Sequence, residues 1–109
     1  MSRGSWRYYV ERNTLSAMIQ SFRCKDTQAL YEGQAPRRFR AFLPVAERKL
    51  AQLDAAQSLE FLKVPPGNHF EALKGDRRGQ HSIRINDQWR LCFRWTTTGP
   101  ADVEIVDYH

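Results

Sequence analysis

Polar and apolar residues alternate through the C-terminal half of the chain, a pattern typical of strands that bury one face. The segments "QHSIRI" and "WRLCFRW" flank "NDQ", a three-residue loop whose Asn and Asp tolerate left-handed turns. This predicts a hairpin in which Ile85 lies opposite Trp89 and Arg84 lies opposite Arg90. "HFEAL" predicts a short strand before it. After a turn at "GP", "ADVEIVDYH" predicts a last strand.

The first half of the chain predicts one strand and two helices. "MIQSFRC" has an apolar edge typical of a strand, and "DTQALYEG" predicts a short helix with Asp26 as its N-cap. Apolar residues at helical spacing predict a second helix over about 44–57, with Pro44 in its first turn. "VPPGN" then predicts a loop. The fold class is therefore α+β, with an N-terminal strand and two helices packed on one face of an antiparallel sheet.

Strand alternation divides the predicted sheet into an apolar and a basic face. The apolar face, which we expect the helices to cover, gathers Ile83, Ile85, Trp89, Leu91 and Phe93. The other face gathers Gln80, Ser82, Arg84, Arg90 and Arg94. No acid alternates with these arginines, so an anion lying across them would relieve their repulsion. The alternatives are a solvated face, or a salt bridge from Glu104 of the last strand.

Composition favours an anionic partner and a single domain. The 109 residues carry a net charge of +5 with a pI near 9.6. Residues 1–17 differ in character and are interpreted as an N-terminal extension of uncertain origin before a domain at 18–109. Neither a membrane span nor a signal peptide is recognisable, so we expect a cytoplasmic protein. Cys24, Cys92 and His81 are expected to be packed side chains, not metal ligands.

Several motifs together resemble the HigB-type toxins of the RelE superfamily. They are "MIQSF", "AERKLAQLDAA", "LKGDRRGQHSIRINDQWRLCFRW" and the closing "VEIVDYH", in the family's order, over about residues 18–109. The resemblance implies a compact RelE-like fold and an endoribonuclease that cleaves mRNA in the ribosomal A site. It also implies a HigA-type helix-turn-helix antitoxin, operator DNA bound only through the antitoxin complex, no metal or organic cofactor, and no membrane.

The resemblance also implies the site residues. The family's basic active-site positions fall on Lys74 and Arg90, and its C-terminal catalytic group falls on Asp107, Tyr108 and His109. This chain departs from the pattern once, because Glu71 stands where some members carry a histidine. His69, two residues earlier, is a possible substitute, so the identity of the general base stays open.

Metal-independent RNA cleavage needs cations for the phosphate. Arg90 suits this role because a guanidinium holds two oxygens at once and stays charged. Lys74 adds a point charge at the start of the "KGDRRG" loop. The further residues predicted to contact RNA are Arg48, Lys49, Arg77, Arg78, Arg84 and Arg94.

The reaction, in which the ribose 2′-oxygen attacks the neighbouring phosphorus, also needs proton transfer. His109 is a suitable acid or base because its reference pKa of about 6.5 lies near working pH. Asp107 is expected to orient it or to take a proton, and Glu71 competes for the latter role. Tyr108 is expected to stack on a base or to donate its hydroxyl to phosphate.

Two other functions stay open at this point. One is a non-catalytic basic protein that binds RNA or the ribosome and blocks translation or ribosome assembly. The other is a DNA-binding regulator acting alone, which the absence of a helix-turn-helix pattern disfavours.

Overall fold

Three α-helices precede a four-stranded antiparallel sheet in the computed structural model, which describes residues 18–107. The helices are α1 (Lys25–Tyr31), α2 (Leu43–Ala55) and α3 (Leu59–Lys63). The strands are β1 (Glu71–Ala72), β2 (Gln80–Arg84), β3 (Trp89–Thr96) and β4 (Gly99–Asp107). Short 3₁₀ helices lie at Arg37–Phe42, Pro66–Asn68 and Gly75–Arg77. The predicted α+β class is confirmed, while the extension at residues 1–17 lies outside the described residues.

The helices differ from the prediction in detail. The second predicted helix is confirmed as α2, with Pro44 in its first turn. The N-cap of α1 is Cys24, so the prediction of Asp26 is wrong, and Asp26 lies in the first turn, where its charge favours the helix dipole. α3 was not predicted. Its five residues are too few to show a period, although the Ser58 hydroxyl caps it by accepting from the Phe61 N–H at 3.3 Å.

The predicted hairpin register is confirmed. The strands lie in the order β1-β2-β3-β4, and Arg84 is the partner of Arg90. The Ile85 N–H donates to the Trp89 carbonyl at 3.0 Å, so these two residues also lie opposite each other. The Asn86 side-chain oxygen closes the loop by accepting from the Trp89 N–H at 2.8 Å. The loop's side-chain chemistry therefore fixes the register, and with it the two faces.

The predicted first strand is wrong as a regular strand. Residues 20–23 run beside β4 and form one isolated parallel bridge, between Phe22 and Val103. β4 bulges at this point, because Asp102 adopts a positive φ of 53° and its N–H donates to the Ser21 hydroxyl at 2.9 Å. A bulged strand presents no continuous ladder for a partner to follow. The "GP" pair likewise belongs to β4, and the preceding turn lies at residues 97–98.

The core lies between the helices and the apolar face of the sheet, as predicted. Phe39 packs edge-on against Trp89, with ring centroids 5.8 Å apart. Thr27 is a buried polar side chain in this layer, and its hydroxyl accepts from the Ile105 N–H at 3.0 Å. Among residues 18–107, no helix is long and apolar enough to cross a bilayer. The largest fully buried side chains include Phe39, Leu53, Leu62, Ile83, Leu91, Phe93, Val103 and Ile105.

Candidate nucleic-acid interface

The face of the sheet away from the helices carries a row of polar side chains across all four strands. The pairing register aligns Glu71 of β1 with Ser82, Ser82 with Cys92, and Cys92 with Glu104 of β4. Arg90 and its partner Arg84 lie two pairs further along the hairpin, on the same face. We call this surface the arginine face; it comprises Glu71, Gln80, Ser82, Arg84, Arg90, Cys92, Arg94 and Glu104.

Arg90 is the most enclosed of the four ion-paired arginines on or beside this face, with its side chain only 13% exposed. Its Nε–H donates to the Ser82 hydroxyl at 2.7 Å, and Nη2 donates to the His69 carbonyl at 2.5 Å. The Glu71 carboxylate lies 3.7 Å from Nη2, and its side chain is 50% exposed. A guanidinium held at two of its nitrogens keeps a fixed plane, which favours directional recognition of an oxyanion.

The carbonyl that binds Arg90 belongs to a residue in an unusual backbone conformation. His69 follows the Pro66–Asn68 turn and adopts φ 43° and ψ 55°, the left-handed region that non-glycine residues rarely occupy. Such a conformation costs about 1–2 kcal/mol, and the surrounding structure must stabilise it. Here the bond from Arg90 and the buried Asn68 beside it supply that support.

The predicted repulsion among the arginines of this face does not require an external anion to relieve it, because acids of the chain itself pair with them. Arg84 pairs with Asp87, and Arg94 Nε lies 3.0 Å from Asp102. The acids come from the hairpin loop and from the bulge in β4, not from alternate strand positions, so alternation did not reveal them.

Glu104 is a salt-bridge partner, as the sequence allowed. It lies 3.4 Å from Arg77, whose Nη1 also donates to the Gln80 side chain at 3.0 Å. Arg77 thus folds over the arginine face from the loop after β1. Most of the positive charge on the arginine face is therefore neutralised by ion pairs within the chain.

Unpaired positive charge lies instead in the "KGDRRG" loop. The side chains of Lys74 and Arg78 are exposed, and neither makes a hydrogen bond or ion pair with another residue in 18–107. The loop turns at Gly75 (φ 63°) and Gly79 (φ 93°), conformations that glycine adopts without strain. This loop carries exposed cations that an anionic ligand on the arginine face could reach.

Lys49, which is predicted to contact RNA, forms a hydrogen bond within the protein. Its amine donates to the Asn68 side-chain oxygen at 2.5 Å, and Asn68 also donates to Gln52 at 2.9 Å. Burial lowers the pKa of Lys49, and the charges of Arg48 and Arg84 lower it further. Lys49 thus links α2 to the turn that ends at His69, whereas Arg48 is exposed. Their contact with RNA stays a prediction.

The C-terminal site residues are described only in part. Asp107 ends β4 as the partner of Trp89. Alternation therefore places its side chain on the apolar face of the sheet, on the other side from Arg90. Its carboxylate accepts from the Gln88 amide at 2.9 Å. Tyr108 and His109 lie outside the described residues. The proximity of Tyr108 and His109 to Lys74 and Arg90 stays a prediction.

Two other titratable groups are packed as expected. Burial raises the pKa of the Cys92 thiol to about 11, so the thiol stays protonated at neutral pH. His81 stacks on Phe70 with centroids 5.3 Å apart, and burial followed by the charge of Lys63 lowers its pKa. Within residues 18–107, no group of three His, Cys, Asp and Glu side chains is arranged to hold a metal ion. The absence of a cofactor stays a prediction.

Sequence reasoning placed Ser82 on the arginine face but did not identify its role. Ser82 and Arg90 are diagonal neighbours across the β2–β3 pair, a separation that long side chains reach. That register was a usable signal for the bond. The contribution of the His69 carbonyl had no signal, because it depends on a left-handed backbone that the sequence pattern does not encode.

A family model for the RelE-like toxin of the type II toxin–antitoxin system HigB matches residues 20–109. The class defined by this match is the RelE-like toxins, and the chain belongs to their HigB-like family.

Curated relatives match over shorter stretches. Toxin HigB-1 of Vibrio cholerae is 56% identical over 48 residues, which are 44% of this chain and 50% of that protein. An uncharacterised protein of Haemophilus influenzae is 37% identical over 51 residues, 47% of this chain and 50% of its own. The chain thus spans about half the length of the curated relatives it matches. A YoeB/ParE toxin from Agrobacterium tumefaciens aligns with 87% of this chain and 99% of its own, with a TM-score of 0.45 and 19% identity.

Proposed function

We propose that this protein is the toxin of a type II toxin–antitoxin pair and acts as a ribosome-dependent endoribonuclease. It cleaves mRNA in the ribosomal A site, without a metal or organic cofactor, and so inhibits translation and growth. Membership of the HigB-like family supports the toxin assignment. The observation that carries the nuclease assignment is the enclosed guanidinium of Arg90, which the Ser82 hydroxyl and the His69 carbonyl hold at two nitrogens.

In this proposal Arg90 binds the scissile phosphate. A bidentate guanidinium stabilises the charge that gathers on the non-bridging oxygens as the 2′-oxygen attacks. Lys74 supplies a second cation from the exposed loop. The cations that follow the RNA backbone on either side are Arg48, Lys49, Arg77, Arg78, Arg84 and Arg94.

Proton transfer is assigned to four groups. Glu71 is half exposed and lies beside the Arg90 guanidinium, so a substrate 2′-hydroxyl near that cation meets a carboxylate base. Asp107, Tyr108 and His109 supply the remaining acid, base or stacking functions at the C-terminus. Glu71 replaces the histidine of some relatives, and we propose that it takes over the base role.

The proposed partner is a HigA-type helix-turn-helix antitoxin. It neutralises the toxin, and the complex represses its own operon by binding operator DNA. The protein itself contacts DNA only through that complex, and it acts in the cytoplasm, where ribosomes and mRNA are found.

The decisive experiment is induced expression followed by mapping of mRNA ends. The wild-type protein should produce discrete cuts within translated reading frames, and these should vanish from a message whose start codon is removed. Arg90→Ala should reduce cleavage by about 10²–10³-fold, the usual loss when one transition-state anion contact is removed. Arg23→Ala is the matched control, since Arg23 is an exposed arginine outside the proposed site.

Two outcomes would contradict the proposal. Full cleavage by the Arg90→Ala protein would remove Arg90 from its assigned role. Growth arrest with intact messages would favour the non-catalytic alternative, in which the basic surface blocks translation or ribosome assembly by binding alone.

A further inference from the structure

We propose that Ser82 and the backbone of His69 are positioning groups for Arg90, a role that rests on the proposed function. The Ser82 hydroxyl accepts from Nε at 2.7 Å, and the His69 carbonyl accepts from Nη2 at 2.5 Å. The two acceptors come from different elements, β2 and the turn before β1. Together they fix both the position and the plane of the guanidinium.

Ser82 is built into the sheet in a way that makes it a fixed acceptor. It is fully buried and is paired on both sides, with Glu71 in β1 and Cys92 in β3. Strand pairing on both sides holds its backbone, and the short, buried side chain places Oγ close to that backbone. Loss of a hydrogen bond from a charged donor to such an acceptor is expected to change the measured rate or equilibrium by about tenfold or more.

The second acceptor depends on the left-handed conformation of His69. At φ 43° the peptide carbonyl is turned toward β3, where Nη2 of Arg90 reaches it. The turn is anchored by the buried Asn68, whose amide donates to the Leu62 carbonyl at 3.0 Å. Strain held by a buried anchor next to a proposed active site is the pattern expected of a preorganised site.

The two acceptors leave the guanidinium oriented before any ligand arrives. A free surface arginine loses side-chain entropy when it binds a phosphate, whereas this one has already lost it on folding. Removal of the Ser82 hydroxyl should therefore weaken cleavage through Arg90 and not through the fold. Ser82 does not touch the substrate in this account.

The first test reads the contact directly and does not depend on activity. The exchange of the Arg90 Nε–H with water, followed by ¹⁵N NMR of the full chain, should accelerate about tenfold or more in Ser82→Ala, the loss expected for one charged hydrogen bond. Ser82→Thr, which retains the hydroxyl, should restore slow exchange. Equal exchange in the wild-type and Ser82→Ala proteins would overturn the role of Ser82.

The second test measures single-turnover cleavage of mRNA on programmed ribosomes. Ser82→Ala should lower the rate about tenfold in the wild-type background. In an Arg90→Lys background it should have less than about a twofold effect, because lysine has a methylene where arginine has Nε and makes no bond to Ser82. An equal loss in both backgrounds would mean a structural role and would overturn the proposal.

Substitutions of His69 provide a third test, of the carbonyl that accepts from Arg90. His69→Val should lose more cleavage than His69→Asn, because a β-branched residue opposes positive φ while asparagine tolerates it. Equal losses in both variants would show that the imidazole, not the turned carbonyl, matters. If the wild-type protein cleaves no message, the proposed function fails, while the exchange measurement still decides whether Ser82 holds Arg90.

Discussion

The two faces of the sheet are stabilised by different interactions, although alternating residues of the same strands form them. Phe93 and Arg94 are neighbours in β3, yet Phe93 is fully buried against the helices while the Arg94 side chain is 53% exposed. The apolar face gains its stability from removing area from water and from close packing. The arginine face is held by individual charged contacts whose partners come from turns, a bulge and a left-handed residue.

This difference separates stability from the proposed function. Hydrophobic burial is not directional, so the apolar face needs suitable volume more than particular partners. Hydrogen bonds are directional, so the arginine face needs particular atoms at particular places. We therefore expect substitutions on the apolar face to unfold the protein, and those on the arginine face to change chemistry at nearly constant stability.

The largest expected effect compares the two neighbours in β3. Phe93→Ala should lower the free energy of unfolding by about 3–5 kcal/mol, because it leaves a cavity beneath the helices. Arg94→Ala should cost less than about 1 kcal/mol, because its pair with Asp102 is half exposed and screened by water. Urea unfolding of both purified variants checks this. A larger loss for Arg94→Ala than for Phe93→Ala would contradict the division between the faces.

The same division explains how much the sequence predicted. Alternation in "QHSIRI" and "WRLCFRW" predicted the register and both faces, because one buried face and a three-residue loop allow only one pairing. It did not predict the pairing of Arg94 with Asp102, which depends on the positive φ that creates the bulge. Nor did it predict α3, whose five residues span little more than one turn.

The candidate site was predicted less completely than the fold. The face on which Arg90 lies followed from alternation, whereas its bond to the His69 carbonyl required the turn after Pro66 to bring a distant backbone atom to β3. Long-range approach of this kind is set by tertiary packing, not by local pattern. The roles of Lys74 and of the C-terminal residues stay predictions.

A smaller effect is expected from the polar contact inside the apolar layer. Thr27→Val should cost about 1–3 kcal/mol, because the buried Ile105 N–H loses its acceptor while the side-chain volume is kept. Thr27→Ser keeps the hydroxyl and removes one methyl group, for about 0.8 kcal/mol. The comparison is made by urea unfolding. If the valine variant proves at least as stable as the serine variant, burial alone decides stability here.

The next effect is a loss of stability on acidification that is caused by His81. Burial and then the charge of Lys63 lower the pKa of His81 in the folded state below the unfolded value of about 6.5. As pH falls below about 7, the unfolded chain takes up this proton first, so stability decreases until the folded pKa is passed.

His81→Phe removes that titration and also removes a buried Nδ1 that has no hydrogen-bond partner within residues 18–107. The melting temperature of the variant should therefore fall less than that of the wild type between about pH 7 and pH 5. Lys63→Ala serves as the partial control, because it removes only the secondary cause. Parallel curves for wild type and His81→Phe would show that His81 does not contribute.

The smallest expected effect lies on the arginine face, and it tests whether that face adds to stability at all. Arg77 and Glu104 are about a quarter to a third exposed and 3.4 Å apart, so water screens their attraction. A double-mutant cycle with Arg77→Met and Glu104→Gln, measured by urea unfolding, should give a coupling of about 0.5 kcal/mol that shrinks in high salt.

The hydrogen bond from Arg77 to Gln80 is lost in both arms that carry Arg77→Met and cancels in the cycle. A coupling above about 2 kcal/mol, unchanged by salt, would place the pair among buried interactions and make the arginine face a second source of stability. A small coupling would mean that the apolar face supplies most of the free energy of folding, so that the cations of the arginine face can serve the proposed RNA contact at little cost in stability.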